Sequence, residues 1–84
     1  MFQYIFSFDS LTAAQVARGV LDARYIPCRV GRAPREAARR GCGYAVRVEG
    51  RDGARSAAVF REEGQRFSGV FRQFPDGTVE ETEL

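Results

Sequence analysis

The order of strand-like and helix-like patterns along the chain most restricts its fold. Residues 3–8 are rich in aromatic and β-branched side chains, which is typical of a strand. Asp9 and Ser10 can then cap a helix. Behind them, apolar residues recur at the i, i+3, i+4, i+7 and i+8 spacing of one helical face: Ala13, Val16, Ala17, Val20 and Leu21. Pro27 disfavours helical geometry at Ile26, so this helix is expected to end near Arg24.

Three further strands and a second long helix are predicted. The strands cover residues 26–32, 44–49 and 67–74. The helix runs from a cap at Asp52 to about Glu63, with an apolar face made of Ala54, Ala57, Ala58 and Phe60. One or two helical turns are also expected at 35–40, because Pro34 suits a first turn and Gly41 a stop.

This βαββαβ order predicts an α+β, ferredoxin-like sandwich. Right-handed crossovers give an antiparallel sheet with strand order 4-1-3-2 and two helices on one face. After a turn at residues 75–77, the tail can pair back as a short hairpin. The exposed second strand and this hairpin could also support a homodimer.

The chain has 84 residues, which suits a single domain, 1–84, with a core over about 3–74 and an acidic tail over 76–84. Its apolar runs are far shorter than the ~20 residues that cross a bilayer, so no membrane association is expected. The first residues lack the basic region and cleavage site of a secretory signal. We therefore expect a cytoplasmic protein.

The residue types that are missing exclude several chemistries. The sequence contains no histidine and no lysine, which excludes histidine acid–base catalysis and lysine Schiff bases. Two cysteines are too few for a four-cysteine metal site or a dense disulfide framework. No metal and no cofactor is therefore predicted. Thiol, carboxylate, guanidinium and backbone groups remain as the carriers of function.

The predicted topology separates the two cysteines. Residues 33–43, the helix start at 10–12 and the chain near Arg66 should meet at one end of the sheet, while Cys28 lies at the other end. Six strand residues put about 20 Å between the thiols, whereas a disulfide needs Cα atoms within ~7 Å. Cys28 and Cys42 are therefore not expected to pair, and Cys28 suits a small buried position.

Cys42 lies in the most unusual stretch of the sequence. Eight arginines fall between Arg18 and Arg47 against two acids, and glycines flank the thiol on both sides. Cationic surroundings favour the thiolate, which is the nucleophilic form of cysteine. Cys42 is thus the candidate reactive residue, and the candidate binding residues around it are Arg35, Glu36, Arg40, Gly41 and Gly43. A loop cysteine that only fills a small apolar space is the alternative interpretation.

The sequence resembles a family of small bacterial domains of unknown function, described as putative selenium/sulfur carrier protein-like. The resemblance covers roughly residues 3–72. Its features are the opening strand, the amphipathic helix, Ile26-Pro27, Arg29, Pro34-Arg35-Glu36, and Cys42-Gly43 followed by Ala45 and Arg47. It implies a βαββαβ domain whose Cys42 carries sulfur or selenium between donor and acceptor proteins, as a carrier more than a turnover enzyme.

Two other functions fit the sequence. An RNA-recognition motif has the same topology, and Tyr4, Phe6 and Phe8 could supply its stacking rings. However, Cys42 and Arg47 replace two of the three rings expected on the third strand, so nucleic-acid binding is disfavoured. The other alternative is a non-catalytic module that senses an anion or small molecule through the arginine-rich segment, without a reaction.

Overall fold

A computed structural model describes residues 1–38 and 43–84 of the chain. Five strands are present: β1 (Gln3–Ser7), β2 (Cys28–Arg32), β3 (Tyr44–Glu49), β4 (Gly69–Gln73) and β5 (Val79–Thr82). Three α-helices are present in the same part of the chain: α1 (Leu11–Ala23), α2 (Arg35–Ala38) and α3 (Gly53–Glu62). A single 3-10 turn, Gly50–Asp52, leads into α3. The predicted α+β class and order of elements are confirmed.

All five strands form one antiparallel sheet in the order β2-β3-β1-β4-β5. Strands β2, β3, β1 and β4 have the predicted 4-1-3-2 order, read from the opposite side of the sheet. A fifth strand, β5, is added next to β4. The tail pairs with β4 through Val79–Thr82, and Arg72 and Glu80 form an ion pair of 3.3 Å across this pairing. The complete strand order thus differs from the predicted one by β5, which forms the second edge of the sheet.

Helices α1 and α3 pack on one face of the sheet, as predicted. Their buried side chains surround Phe6 and Phe60, whose ring centroids are 5.1 Å apart in an edge-to-face arrangement. Ser10 caps α1, because its hydroxyl oxygen accepts a hydrogen bond of 3.0 Å from the Ala13 N–H. An aromatic cluster contributes much of this core, since each ring buries a large apolar area.

The buried faces of both long helices agree only in part with those that the apolar spacing predicted. In α1, Ala17 and Leu21 are buried as predicted, but Ala14 is buried too and Val16 remains 50% exposed. In α3, Ala57 and Phe60 are buried as predicted, whereas Ala54 and Ala58 are exposed and the core also takes Gly53, Ser56 and Val59. Alanine is small enough to occupy either face of a helix, so it marks the buried face poorly.

The predicted cap at Asp52 is also wrong. Its side chain makes no capping hydrogen bond to α3, and Oδ2 is buried without a hydrogen-bond partner. The preceding 3-10 turn places Asp52 in helical geometry, with φ −101° and ψ 0°, whereas a capping residue needs extended backbone. Arg51 lies 3.9 Å from this carboxylate.

Helix α2 packs on the other face of the sheet, which the sequence was expected to leave without a helix. Ala37 is fully buried there against Ile5, Ala45 and Phe71. These three residues lie on the opposite side of their strands from the aromatic core, because neighbouring strand residues face opposite ways. The prediction of helices on one face alone therefore needs correction. None of the helices in the described parts of the chain is long and apolar enough to span a bilayer.

Candidate functional site

Several segments meet at one end of the sheet, which we call the loop end and define by residues 8–10, 43–44 and 68. The Phe8 N–H donates to the Tyr44 carbonyl at 3.5 Å, and the Ser68 N–H donates to the Ser7 carbonyl at 2.7 Å. The Ser68 hydroxyl also donates to Asp9 Oδ1 at 2.6 Å. The start of α1, the entry to β3 and the entry to β4 therefore share this end, as predicted.

The connection between β2 and β3 leaves and re-enters the sheet at this loop end. The Ala33 N–H donates a 2.8 Å hydrogen bond to the Gly43 carbonyl, which ties the two ends of the connection together. Gly43 has φ +89°, a left-handed conformation that side chains with a Cβ rarely adopt. The glycine after Cys42 is thus required by the backbone turn into β3.

Helix α2 occupies the first part of the same connection. The Pro34 carbonyl accepts hydrogen bonds from the N–H groups of Ala37 at 3.0 Å and Ala38 at 2.9 Å. Proline tolerates this position because the first turn of a helix leaves its own N–H groups unbonded. The helix therefore begins as the Pro34-Arg35-Glu36 motif predicts.

The described side chains of this connection give it a positive and accessible surface. Arg35 and Glu36 are both exposed, and neither forms an ion pair with another residue of 1–38 or 43–84. Arg32 is exposed as well, and its guanidinium carbon lies 5.5 Å from the centroid of the Tyr44 ring. A guanidinium without a negative partner stabilises the charged form of a nearby acidic group, such as a thiolate, relative to the protonated form of that group.

The structure describes three of the six predicted site residues: Arg35, Glu36 and Gly43. The other three, Arg40, Gly41 and Cys42, lie outside the described residues, as does Arg39. Arg35 and Glu36 belong to α2, whereas Gly43 lies at the entry to β3. Arg29 and Arg47 were not among the predicted site residues, although they are cross-strand partners on the sheet face that carries α2.

Cys28 lies at the opposite end of the sheet, where it pairs with Val48, and it forms no disulfide. Its sulfur is 3.9 Å from both the Arg18 carbonyl oxygen and Asp22 Oδ1. Burial raises the pKa of the Cys28 thiol, and the neighbouring Asp22 carboxylate raises it further. Both effects disfavour the thiolate, so the residue has the properties of a structural cysteine.

We predict that Cys28 reacts slowly with iodoacetamide. In a Cys42→Ser background its rate at neutral pH should fall below that of N-acetylcysteine, and should rise only above the ordinary thiol pKa of about 8.5. Asp22→Asn should speed the reaction, because it removes the negative charge that disfavours the thiolate. Asp76→Asn, in the distant β4–β5 turn, serves as the matched control. A Cys28 rate equal to that of the free thiol would contradict this assignment.

The aromatic residues of β1 do not form a surface for stacking bases. Phe6 and Phe8 are fully buried under the long helices, and Tyr4 packs against the same core. An RNA-recognition motif needs its rings on the open face of the sheet. On that face β1 presents Ile5, which is covered by Ala37 of α2. The RNA-binding interpretation is therefore wrong, because the aromatic rings of β1 lie on the helix-covered face of the sheet.

Comparison with known proteins gives one result. The family described as putative Se/S carrier protein-like matches residues 3–72. This match spans β1 to β4, the whole β2–β3 connection and Cys42. No curated protein and no solved structure is significantly similar to the chain. Because the match covers well over half of its length, the chain belongs to the putative Se/S carrier protein-like family.

Proposed function

We propose that this protein carries sulfur or selenium on Cys42, as a persulfide or selenosulfide, between partner proteins. The observation that carries the proposal is the family match over residues 3–72, which includes this cysteine. The contrast with Cys28 supports it, because burial and Asp22 raise the pKa of that thiol at the other end of the sheet. Cys42 is then the thiol left for transfer chemistry.

The loading step is a thiol–persulfide exchange. The Cys42 thiolate attacks the terminal sulfur of a donor persulfide, R–S–SH, and forms a new S–S bond. The S–S bond of the donor breaks, its electron pair stays on the donor sulfur, and R–S⁻ leaves. The product is Cys42 Sγ–SH, which loses its proton to water. No oxidant is needed, because the sulfane sulfur keeps its oxidation state. With selenium as the terminal atom, the same exchange gives a selenosulfide.

The residues near Cys42 in sequence would serve this exchange through charge and access. Arg35 and Arg40 would offset the negative charge of the thiolate and of the terminal sulfur. Arg35 is available for this role, since it is exposed and pairs with no described carboxylate. Gly41 and Gly43 would leave room for the partner's sulfur. We expect Glu36 to have only a supporting role, in which its carboxylate forms an ion pair with an arginine.

The proposal also specifies the partners and the setting. A donor protein must supply sulfane sulfur or selenium, and an acceptor must take it, so this chain moves a group without consuming a substrate. A reducing cytoplasm, here a bacterial one, would keep both cysteines from forming disulfides. Within the chain, Cys28 pairs with Val48 at the far end of β3, so we expect it not to resolve a persulfide on Cys42.

A loading experiment tests the proposal. The protein is incubated with a cysteine desulfurase and cysteine, and its intact mass is measured without reductant. We expect the mass to increase by one sulfur atom, located on the peptide that contains Cys42. Cys28→Ser should load as well as the native protein, whereas Cys42→Ser should not load at all. Loading of Cys42→Ser, or no loading of the native protein with any desulfurase tested, would refute the proposal.

A further inference from the structure

The sheet face that carries α2 is only partly covered by it. Cross-strand partners put Arg29, Arg47, Ile5 and Phe71 side by side in one row across four strands, because directly opposed residues share a face. Helix α2 packs over the Ile5 and Phe71 part of this row and contacts β1, β4 and β5. On β3, Ala45 belongs to the apolar cluster under α2, whereas the two arginines of the row, Arg29 on β2 and Arg47 on β3, lie outside that cluster.

These arginines line a depression, which we call the arginine depression and define by Gln3, Arg29, Gly31 and Arg47. Two adjoining hollows, of about 130 and 330 Å³, both include Gln3, Arg29 and Arg47 among their lining residues. A water molecule takes about 30 Å³ in the liquid, so either hollow has room for a small oxyanion. The depression is open to solvent along β2, an edge strand.

The guanidinium of Arg47 is held in place within this depression. Its Nη1–H donates a 2.8 Å hydrogen bond to the Arg32 carbonyl oxygen. It crosses β2 over Gly31, where an added Cβ would lie 3.7 Å from Nη1. A guanidinium carries five N–H donors, and this bond uses one of them, so the remaining donors can serve a ligand. The side chain is pre-organised for binding.

In the described parts of the chain, several arginines form ion pairs with carboxylates, which Arg29 and Arg47 do not. Arg18, Arg24 and Arg72 each pair with a carboxylate. Within the described residues, neither Arg29 nor Arg47 forms an ion pair, although they are direct cross-strand partners. Glu49, an acid that lines one of the two hollows, accepts a hydrogen bond of 3.3 Å from the Gln3 amide. Like charges opposite one another destabilise a sheet, so this pairing has a cost that an anion would remove.

Burial and the charge of Arg29 both lower the pKa of Arg47. The direction agrees with the geometry, because two cations that share a partly buried site disfavour one another's charge. A bound anion would reverse the effect.

From this geometry we propose that the arginine depression binds a small oxyanion dianion of the phosphate or sulfate class. Two guanidiniums on neighbouring strands can each direct a pair of N–H groups at the oxygens of one tetrahedral ion. Their two charges match a dianion better than a monoanion such as acetate. The inference does not depend on the carrier function, since Cys42 takes no part in it.

Titration with inorganic phosphate, followed by NMR at constant ionic strength, tests the inference. We expect saturable shifts at Arg29, Gly31 and Arg47, and weaker or no saturation with acetate. Arg29→Gln should weaken phosphate binding about tenfold or more, because it removes a charged hydrogen-bond donor. Arg29 is exposed, so this variant should keep the fold. Arg47→Gln should weaken binding as well, with its fold checked in the same spectra.

Arg66→Gln is the matched control, because Arg66 is also exposed but lies between α3 and β4 and does not line the depression. It should leave phosphate binding unchanged. Shifts that never saturate, equal binding of acetate and phosphate, or equal losses from Arg66→Gln and Arg29→Gln would each overturn the proposal. A negative result in the phosphate titration would not count against the carrier function, since sulfur loading is measured separately at Cys42.

Discussion

Gly53→Ala is expected to lower the free energy of unfolding by about 2–3 kcal/mol, a change typical of an overpacked core. Gly53 is the first residue of α3 and is buried against the Tyr4 ring. An added Cβ would lie 2.8 Å from Tyr4 Cγ and closer still to Cδ2 and Cε2. The ring would have to leave its edge-to-face contact with Phe2, whose centroid is 5.1 Å away. Urea unfolding measures this loss.

Two further variants separate this clash from a general effect of losing a glycine. Gly19→Ala, in the interior of α1, has nothing within 4 Å of the added Cβ and should stabilise the protein by about 0.5–1 kcal/mol. In a Tyr4→Ala background, Gly53→Ala should lose most of its cost, because the clashing ring is gone. Equal effects of Gly53→Ala with and without Tyr4 would show that the contact with this ring is not the cause.

The strands and the long helices could be predicted because their residue types favour those structures locally. Predicted β3 matches the observed Tyr44–Glu49, and α1 ends one residue before the expected Arg24. The buried faces of α1 and α3 were harder to predict, since alanines such as Ala14 and Ala54 fit either a core or a surface. Tertiary packing decides between them, and a single sequence does not show that packing.

The position of α2 could not be predicted from the pattern of its residues. Four residues are too few to show a helical period, and an isolated helix of this length is unstable in water. Its geometry depends on contacts with Ile5, Ala45 and Phe71, which come from three different strands. For the same reason the sequence did not reveal the arginine depression, because it arises from the cross-strand register of Arg29 and Arg47.

Part of the candidate site was nevertheless readable from local chemistry. Gly43 was among the predicted site residues, and it has a positive φ, which glycine adopts more readily than other residues. Cys28 is half-buried and not buried as predicted, although the raised pKa of its thiol and its hydrogen-bonding distances agree with a structural cysteine. Both cases depend on the residue and its near neighbours in sequence, whereas α2 docking depends on distant parts of the chain.

Ala37→Glu should therefore detach α2 from the sheet. Ala37 is 0% exposed and lies among apolar side chains. A carboxylate left there without a partner would cost several kcal/mol, so moving the short helix into water becomes the cheaper response. We expect the free energy of unfolding to fall by about 2–3 kcal/mol, with loss of the contacts that bury Ile5 and Phe71.

Ala38→Glu provides the matched comparison, because it places the same side chain on the same helix at a half-buried position. Its carboxylate can reach water, so its cost should stay below about 1 kcal/mol. Urea unfolding gives both values, and NMR shifts of Ile5 and Phe71 report detachment directly. The chain continues from Ala38 towards Cys42. Detachment of α2 would therefore also release from the sheet the helix that precedes this cysteine. Equal costs for the two variants, with Ile5 and Phe71 unshifted in both, would show that Ala37 does not hold α2 on the sheet.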